Sequence, residues 1–216
     1  MVNILSNTNS VINHFIAELR DTEIQKDSMR FRRNLERLGT LFAYEVSKEL
    51  KYENREVVTS LGIANVPVLA EYPVLATILR AGLPFHQGFL NIFDKSENAF
   101  ISVYRKMHKD HSFTMQLEYA SIPDIEGKVL ILCDTMIATG SSVVMSYKNL
   151  LTYGKPSQSH IVSVLASLEG LDYLKKHLPQ QDMTIWLGAL DDELTAQSFV
   201  VPGLGDAGDL AYGRKG

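Results

Sequence analysis

The residues from Val129 to Ser142 place a carboxylate beside a run of hydroxyls and a glycine. Five apolar residues, Val129 to Cys133, end at Asp134. Thr135, Met136, Ile137, Ala138, Thr139, Gly140, Ser141 and Ser142 follow, and a helical pattern comes after them. Such a run reads as a buried strand of a parallel sheet, and ligands bind beyond the carboxyl ends of those strands. Free backbone N–H groups at the start of the next helix, its dipole and the nearby hydroxyls make an anion site, and Gly140 lets the main chain approach a phosphate closely. One turn thus offers a carboxylate for sugar hydroxyls and a cradle for a phosphate. Simple helix capping explains the same residues equally well, so both readings stand at this point. No Gly-Lys-Ser/Thr follows, which excludes a P-loop.

Two other segments carry chemistry. Ile78-Leu79-Arg80-Ala81-Gly82-Leu83 is a second strand-to-loop junction. Arginine there can hold a diphosphate through its fixed fork of donors, or it can be structural and pair with a nearby acid. The tail, Val200-Val201-Pro202-Gly203-Leu204-Gly205-Asp206-Ala207-Gly208-Asp209, contains Gly-x-Gly-x-x-Gly. A dinucleotide fingerprint fails on context, because only eight residues follow Gly208, too few for the helix, second strand and acid of that unit. A glycine-rich loop can instead present backbone C=O and N–H groups to a small flat ring.

These three segments together resemble the uracil phosphoribosyltransferases, a branch of the type I phosphoribosyltransferases. Asp134 to Ser142 is similar to the family's phosphoribosyl pyrophosphate (PRPP) motif, Ile78 to Gly82 to its pyrophosphate loop, and Pro202 to Asp209 to its uracil-binding segment. The resemblance runs from roughly Glu18 to the C-terminus. It implies a type I phosphoribosyltransferase-like α/β fold, with a mostly parallel central sheet flanked by helices, a β-arm and a C-terminal base-binding region. It implies the reaction of uracil with PRPP to give UMP and pyrophosphate, with Asp134 and Arg80 at the catalytic centre. By the same resemblance Arg80, Arg105, Asp134 to Ser142 and Asp206 bind PRPP, while Val200, Gly205, Asp206 and Ala207 bind uracil. Mg²⁺ is the implied cofactor, carried mainly by PRPP with no dedicated protein ligand set. A homodimer or higher homo-oligomer is implied, and GTP is a candidate effector. Three positions depart from the family pattern. Thr135 and Leu168 stand where proline is common, and Ser141 replaces a glycine. If that glycine needs φ > 0, Ser141 is strained.

The rest of the chain must position these groups. With 216 residues, 45% hydrophobic and 21% charged, one compact α/β domain spanning 1–216 is expected. The net charge of −4 argues against a nucleic-acid partner. A single cysteine, Cys133, allows no intrachain disulfide and fits a reducing cytoplasm. No apolar run approaches the ~18 residues of a membrane span, and the first residues have no signal-peptide pattern. The chain therefore reads as cytoplasmic, with no membrane partner.

Helical spacing marks Val11, Ile12, Phe15, Ile16 and Leu19 after Ser10, then Phe31, Leu35, Leu38, Phe42 and Val46, within N-terminal helices at about 10–50. Arg30, Arg32, Arg33 and Arg37 on the second helix read as a solvated face. Strands are expected at 56–61, 67–72, 74–79, 100–104, 129–133, 160–168 and 183–187. Helices are expected to about Phe93, through about Tyr153 and over 169–177. The polar stretch 105–128 reads as a mobile loop or hairpin arm, and 199–216 as a base-binding tail that is mostly loop. Strands alternating with helices predict a largely parallel sheet. His108 and His111 have metal-pair spacing but no third ligand nearby, and Cys133 reads as a buried structural thiol.

Overall fold

The computed structural model describes residues 1–107 and 113–214, leaving the side chains of 105–115 undescribed. His108 and His111 lie outside the described residues. A seven-stranded sheet is formed by β1 (Val2–Ile4), β4 (Val74–Leu79), β5 (Asn98–Met107), β6 (Phe113–Ser121), β7 (Val129–Ile137), β8 (Gln158–Ser167) and β9 (Met183–Asp191). Their spatial order is β1-β9-β8-β7-β4-β5-β6, and only the β5–β6 pair is antiparallel. The helices are α1 (Val11–Arg20), α2 (Ser28–Ser47), α3 (Gly82–Leu90), α4 (Ser141–Leu150), α5 (Leu168–His177) and α6 (Ala207–Tyr212).

The unalternating apolar runs of β4 and β7 follow from burial on both faces. Ile131 and Cys133 join Leu35, Phe42, Phe85 and Phe89 from α2 and α3. Leu130 and Leu132 join Val143, Tyr147, Leu171 and Leu174 from α4 and α5. Cys133 is buried, as expected. The cap expected at Ser10 is present, and Asp27 supplies a second. Ser10 Oγ accepts from the Ile12 N–H at 3.2 Å, and Asp27 Oδ1 accepts from the N–H groups of Met29 and Arg30. Helices α2 and α3 touch backbone to backbone: a Cβ on Gly39 would lie 2.0 Å from the Phe85 carbonyl oxygen.

Several expectations change. The strand at Val129 does not stop at Cys133 but continues to Ile137, so the turn is only Ala138 to Gly140. Of the two readings of 105–128, the hairpin arm holds: past Ser102, where its pairing with β4 ends, β5 is paired only with β6 among the described residues. β5 enters the stretch and β6 returns antiparallel along the edge of the main sheet. A second hairpin is β2 (Tyr52–Thr59) with β3 (Gly62–Leu69), which pair only with each other among the described residues. It leaves Val58, Leu61 and Ile63 exposed.

The arginines of α2 are not simply a solvated face. Arg33 is exposed and pairs with Glu36 of its own helix. Arg30, however, forks onto Glu18 of α1 at 2.6 and 3.0 Å, and Arg32 donates to the Ala211 carbonyl of α6. The tail is more ordered than a loop: β10 (Glu193–Leu194) pairs with β11 (Val200–Val201), and α6 follows, with Asp206 Oδ1 accepting from the Asp209 N–H at 2.9 Å.

One ion pair fastens this tail. Arg20, ending α1, donates to both carboxylate oxygens of Asp191 at 2.8 and 2.6 Å and to the Gly203 carbonyl at 3.0 Å. The Gly203 N–H donates to Asp191 Oδ2 at 2.9 Å. Asp191 is only 5% exposed. No described helix is long and apolar enough to cross a membrane.

These contacts can be tested by substitution. Arg20→Met leaves Asp191 buried without its cation and should cost about 3 kcal/mol, read as a lowered urea midpoint at unchanged m-value. Leu168 is the first residue of α5, where proline's fixed φ and missing N–H fit. Ser167 before it is already extended at φ −89°, ψ 157°, as a residue preceding proline must be. Leu168→Pro should therefore raise stability by about 0.5 kcal/mol, seen as a higher melting temperature; a lower one would contradict this reading.

Candidate active site

The sheet order sets the place. From β4 the chain moves outward to β5 and β6, then returns so that β7 lies on the other side of β4, followed by β8 and β9. The carboxyl ends of β4 and β7 are thus adjacent while their connections diverge, the topological position at which α/β sheets open a crevice. The tail closes over that crevice. A cleft of about 590 Å³ is lined by Leu79, Ala81, Asp134, Thr135, Met136, Ala138, Ser142, Gly205, Asp206, Ala207 and others. A smaller recess beside it brings in Arg80 with Asp134, Asp206 and Asp209.

Asp134 faces this cleft from within β7. Burial pushes its carboxyl up to about 7 from the ordinary aspartate range, and hydrogen bonds from the Thr135 and Met136 backbone N–H groups oppose the rise. The Thr135 N–H lies 2.7 Å from Asp134 Oδ1. A proline in that position could not donate, so this departure gives the carboxylate an additional hydrogen bond.

The turn that follows is held from behind. Gly140 has φ 77° and caps α4, and a Cβ there would meet Leu174 at 2.6 Å and the Gly170 carbonyl at 2.9 Å. Ser141 is the first helical residue, and the described non-glycine residues with positive φ are Asp182 and Ser198. The strain anticipated at Ser141 is therefore absent. Its hydroxyl shares a 2.8 Å hydrogen bond with that of Thr139. Ser167 Oγ donates to the Ala138 carbonyl at 2.6 Å and accepts from the Gly170 N–H, tying the turn to α5.

Arg80 follows β4. Its Nη2 donates to Asp209 Oδ1 and its Nη1 to the Gly213 carbonyl, each at 3.2 Å. Its Nε is buried without a hydrogen-bond partner among the described residues. Asp134, Thr135, Met136, Ala138, Ser142, Arg80, Gly205, Asp206 and Ala207 therefore meet at one place. Thr139 and Gly140 lie in the turn behind it, and Ser141 opens α4. Ile137 and Val200 have buried side chains that do not line the cleft. Arg105 has its backbone in β5 opposite Met115, and its side chain lies outside the described residues. Tyr104 and the turn Gln197–Phe199 also line the cleft and carry no motif that marks them in the sequence.

A family model described as uracil phosphoribosyltransferase matches residues 6–214. The chain belongs to the uracil phosphoribosyltransferase family. A uracil phosphoribosyltransferase of Porphyromonas gingivalis is 52% identical over 206 residues, 95% of each chain. One of Pyrococcus furiosus is 34% identical over 206 residues, covering 94% of this chain and 86% of the relative. Among solved structures, the AQ2163 protein from Aquifex aeolicus superposes with a TM-score of 0.86 at 27% identity, covering 99% of this chain and 98% of that one. A hypoxanthine phosphoribosyltransferase from Staphylococcus aureus, at 14% identity and TM-score 0.51, shares the fold. This uracil phosphoribosyltransferase-family chain has the fold of a phosphoribosyltransferase.

The raised pKa of Asp134 has a direct consequence for stability. The unfolded carboxyl ionises near 4 and the folded one near 7. The native state therefore holds a proton that the unfolded state has lost, and stability falls as pH rises through that window. Asp134→Asn should raise the unfolding free energy of the ligand-free protein at pH 8, read from urea denaturation, by up to about 4 kcal/mol, and change it little at pH 4. A gain from Asp134→Asn that does not depend on pH would show that the carboxyl is not desolvated.

Proposed function

We propose that this phosphoribosyltransferase moves the 5-phosphoribosyl group of PRPP to N1 of uracil, producing UMP and pyrophosphate. The supporting observation is the convergence of three segments far apart in the chain, Ile78–Ala81, Asp134–Ser142 and Gly205–Gly208, on one cleft. The turn Ala138–Ser142 at the start of α4 holds the 5′-phosphate through backbone N–H groups and hydroxyls. Asp134 accepts from the ribose hydroxyls beside it. Arg80 offers its remaining donors to the diphosphate.

Departure of pyrophosphate leaves positive charge on the ribose and negative charge on the leaving group. Arg80 stabilises the latter. The tail around Gly205 to Ala207 presents main-chain groups to the alternating acceptor and donor edge of uracil, and setting N1 against C1 of the sugar contributes proximity. Arg105 and Val200 are carried on the family resemblance alone, Val200 through its backbone.

Asp134 and Asp206 are the two carboxylates lining the cleft, and their hard oxygens suit Mg²⁺. Among the described residues no group of three or more His, Cys, Asp or Glu side chains gathers to hold a metal. Mg²⁺ would therefore be held largely by PRPP's own oxygens, with these two carboxylates at its side, where it would neutralise diphosphate charge. The exposed apolar side chains of the β2–β3 hairpin support a homo-oligomer.

The test is to incubate the purified chain with PRPP and Mg²⁺ and, in separate reactions, uracil, orotate, hypoxanthine or guanine, and to resolve the nucleotides by chromatography. UMP should form from uracil at a rate at least about a hundredfold above the others, as expected where a site's buried polar groups go unpaired with the wrong base. Nucleotide from orotate or a purine without UMP would overturn the assignment of the base.

A further inference from the structure

Asp209 has no role in the reaction described so far, yet it is the carboxylate that holds Arg80. The two stand on different walls of the cleft: Arg80 follows β4, and Asp209 lies in the first turn of α6, directly after Asp206, Ala207 and Gly208. Arginine has five N–H donors. Asp209 takes one at Nη2 and the Gly213 carbonyl takes one at Nη1, leaving Nε–H and one hydrogen on each terminal nitrogen. Both contacts come from the α6 segment, so together they fix the plane of the guanidinium. Gly208 makes room for this: a Cβ there would come within 3.3 Å of Arg80 Nη2 and 3.2 Å of Asp206 Oδ1.

We infer that Asp209 is a positioning residue, aiming the free edge of the Arg80 guanidinium at the diphosphate and joining the diphosphate wall of the cleft to the base wall. The alternative is a lock, in which Asp209 competes with the diphosphate for Arg80. The geometry favours positioning. The pair is single-pronged at 3.2 Å and about a third exposed on both sides. Such a pair is too weak to hold off a multiply charged diphosphate, whereas orientation needs only that the fork lose its rotational freedom.

The inference rests on the proposed reading of the cleft, and the experiment separates the two. Pyrophosphate with Mg²⁺ is titrated calorimetrically into the wild-type chain and into Asp209→Ala, Asp209→Asn, Arg80→Ala and the double variant Arg80→Ala/Asp209→Ala. KM for PRPP and for uracil is measured on the single Asp209 variants. Asp209→Ala should weaken pyrophosphate binding and raise KM for PRPP by about two- to fivefold, and kcat should change less. Asp209→Asn, which keeps an acceptor, should recover most of the loss. In the Arg80→Ala background, Asp209→Ala should cost nothing more, because there is no guanidinium left to aim.

Tighter pyrophosphate binding in Asp209→Ala would identify a lock and overturn the inference. So would an unchanged affinity, or an equal loss with and without Arg80, which would mean that Asp209 merely supports α6. If Arg80→Ala itself binds pyrophosphate as well as wild type, the diphosphate assignment of Arg80 fails instead.

Discussion

The ion pair of Arg20 with the buried Asp191 anchors the start of the tail that forms the third side of the cleft. Both carboxylate oxygens are satisfied by the guanidinium, and the remaining lone pairs accept the Gly203 N–H. A charge this deeply buried is tolerated only when it is so completely partnered. The pair joins the end of α1 to the end of β9 and fixes the backbone of the tail between them. The segment beyond Gly203 starts from that point, and Arg32 and Arg80 hold it further along through Ala211, Asp209 and Gly213. The sheet supplies two walls of the site without help, because β4 and β7 are buried between helical layers. The third wall is a short run of chain with little core of its own, mainly Leu204, Ala207 and Ala211.

Much of this was legible in the residue order. Unalternating apolar runs at Val74–Leu79 and Val129–Cys133 identify strands covered on both faces, and such strands occupy the middle of a parallel sheet. The cap at Ser10 and the apolar stripes of α1 and α2 act within a few residues, so local pattern suffices. The polar stretch after Tyr104 was harder. An edge hairpin exposes more of its surface and so loses the apolar signature on which strand recognition depends, and the stretch after Tyr104 fits a loop and a hairpin arm equally well. At 52–69 the β-like runs mark strands but misplace them, since 56–61 crosses the turn between β2 and β3 and 67–72 runs past the end of β3, and they carry no information about which sheet the strands join.

The candidate site divides in the same way. Asp134, Gly140 and Arg80 sit at strand-to-loop junctions, and their types suggest their chemistry. The placement of Gly140 rather than Ser141 in the left-handed region is a matter of one residue, which junction patterns do not resolve. The contacts that complete the site are invisible at short range. Arg20 and Asp191 are 171 positions apart, and Arg80 and Asp209 are 129 apart. Gln197 to Phe199 line the cleft because the turn closed by Thr195 faces it, not because of any property of those three residues in isolation.

The strand order also governs what the ribosome must release safely. β7 is inserted between β4 and β8, so until residues 130–133 have been made the inner edge of β4 has no partner. That edge belongs to a six-residue strand made wholly of Val, Leu, Ala, Thr and Ile, the kind of open, apolar strand border that other chains can pair with. The crossing point that opens the crevice therefore also leaves a strand border uncovered in a growing chain, and β7 covers it in the same step that brings Asp134 to the cleft.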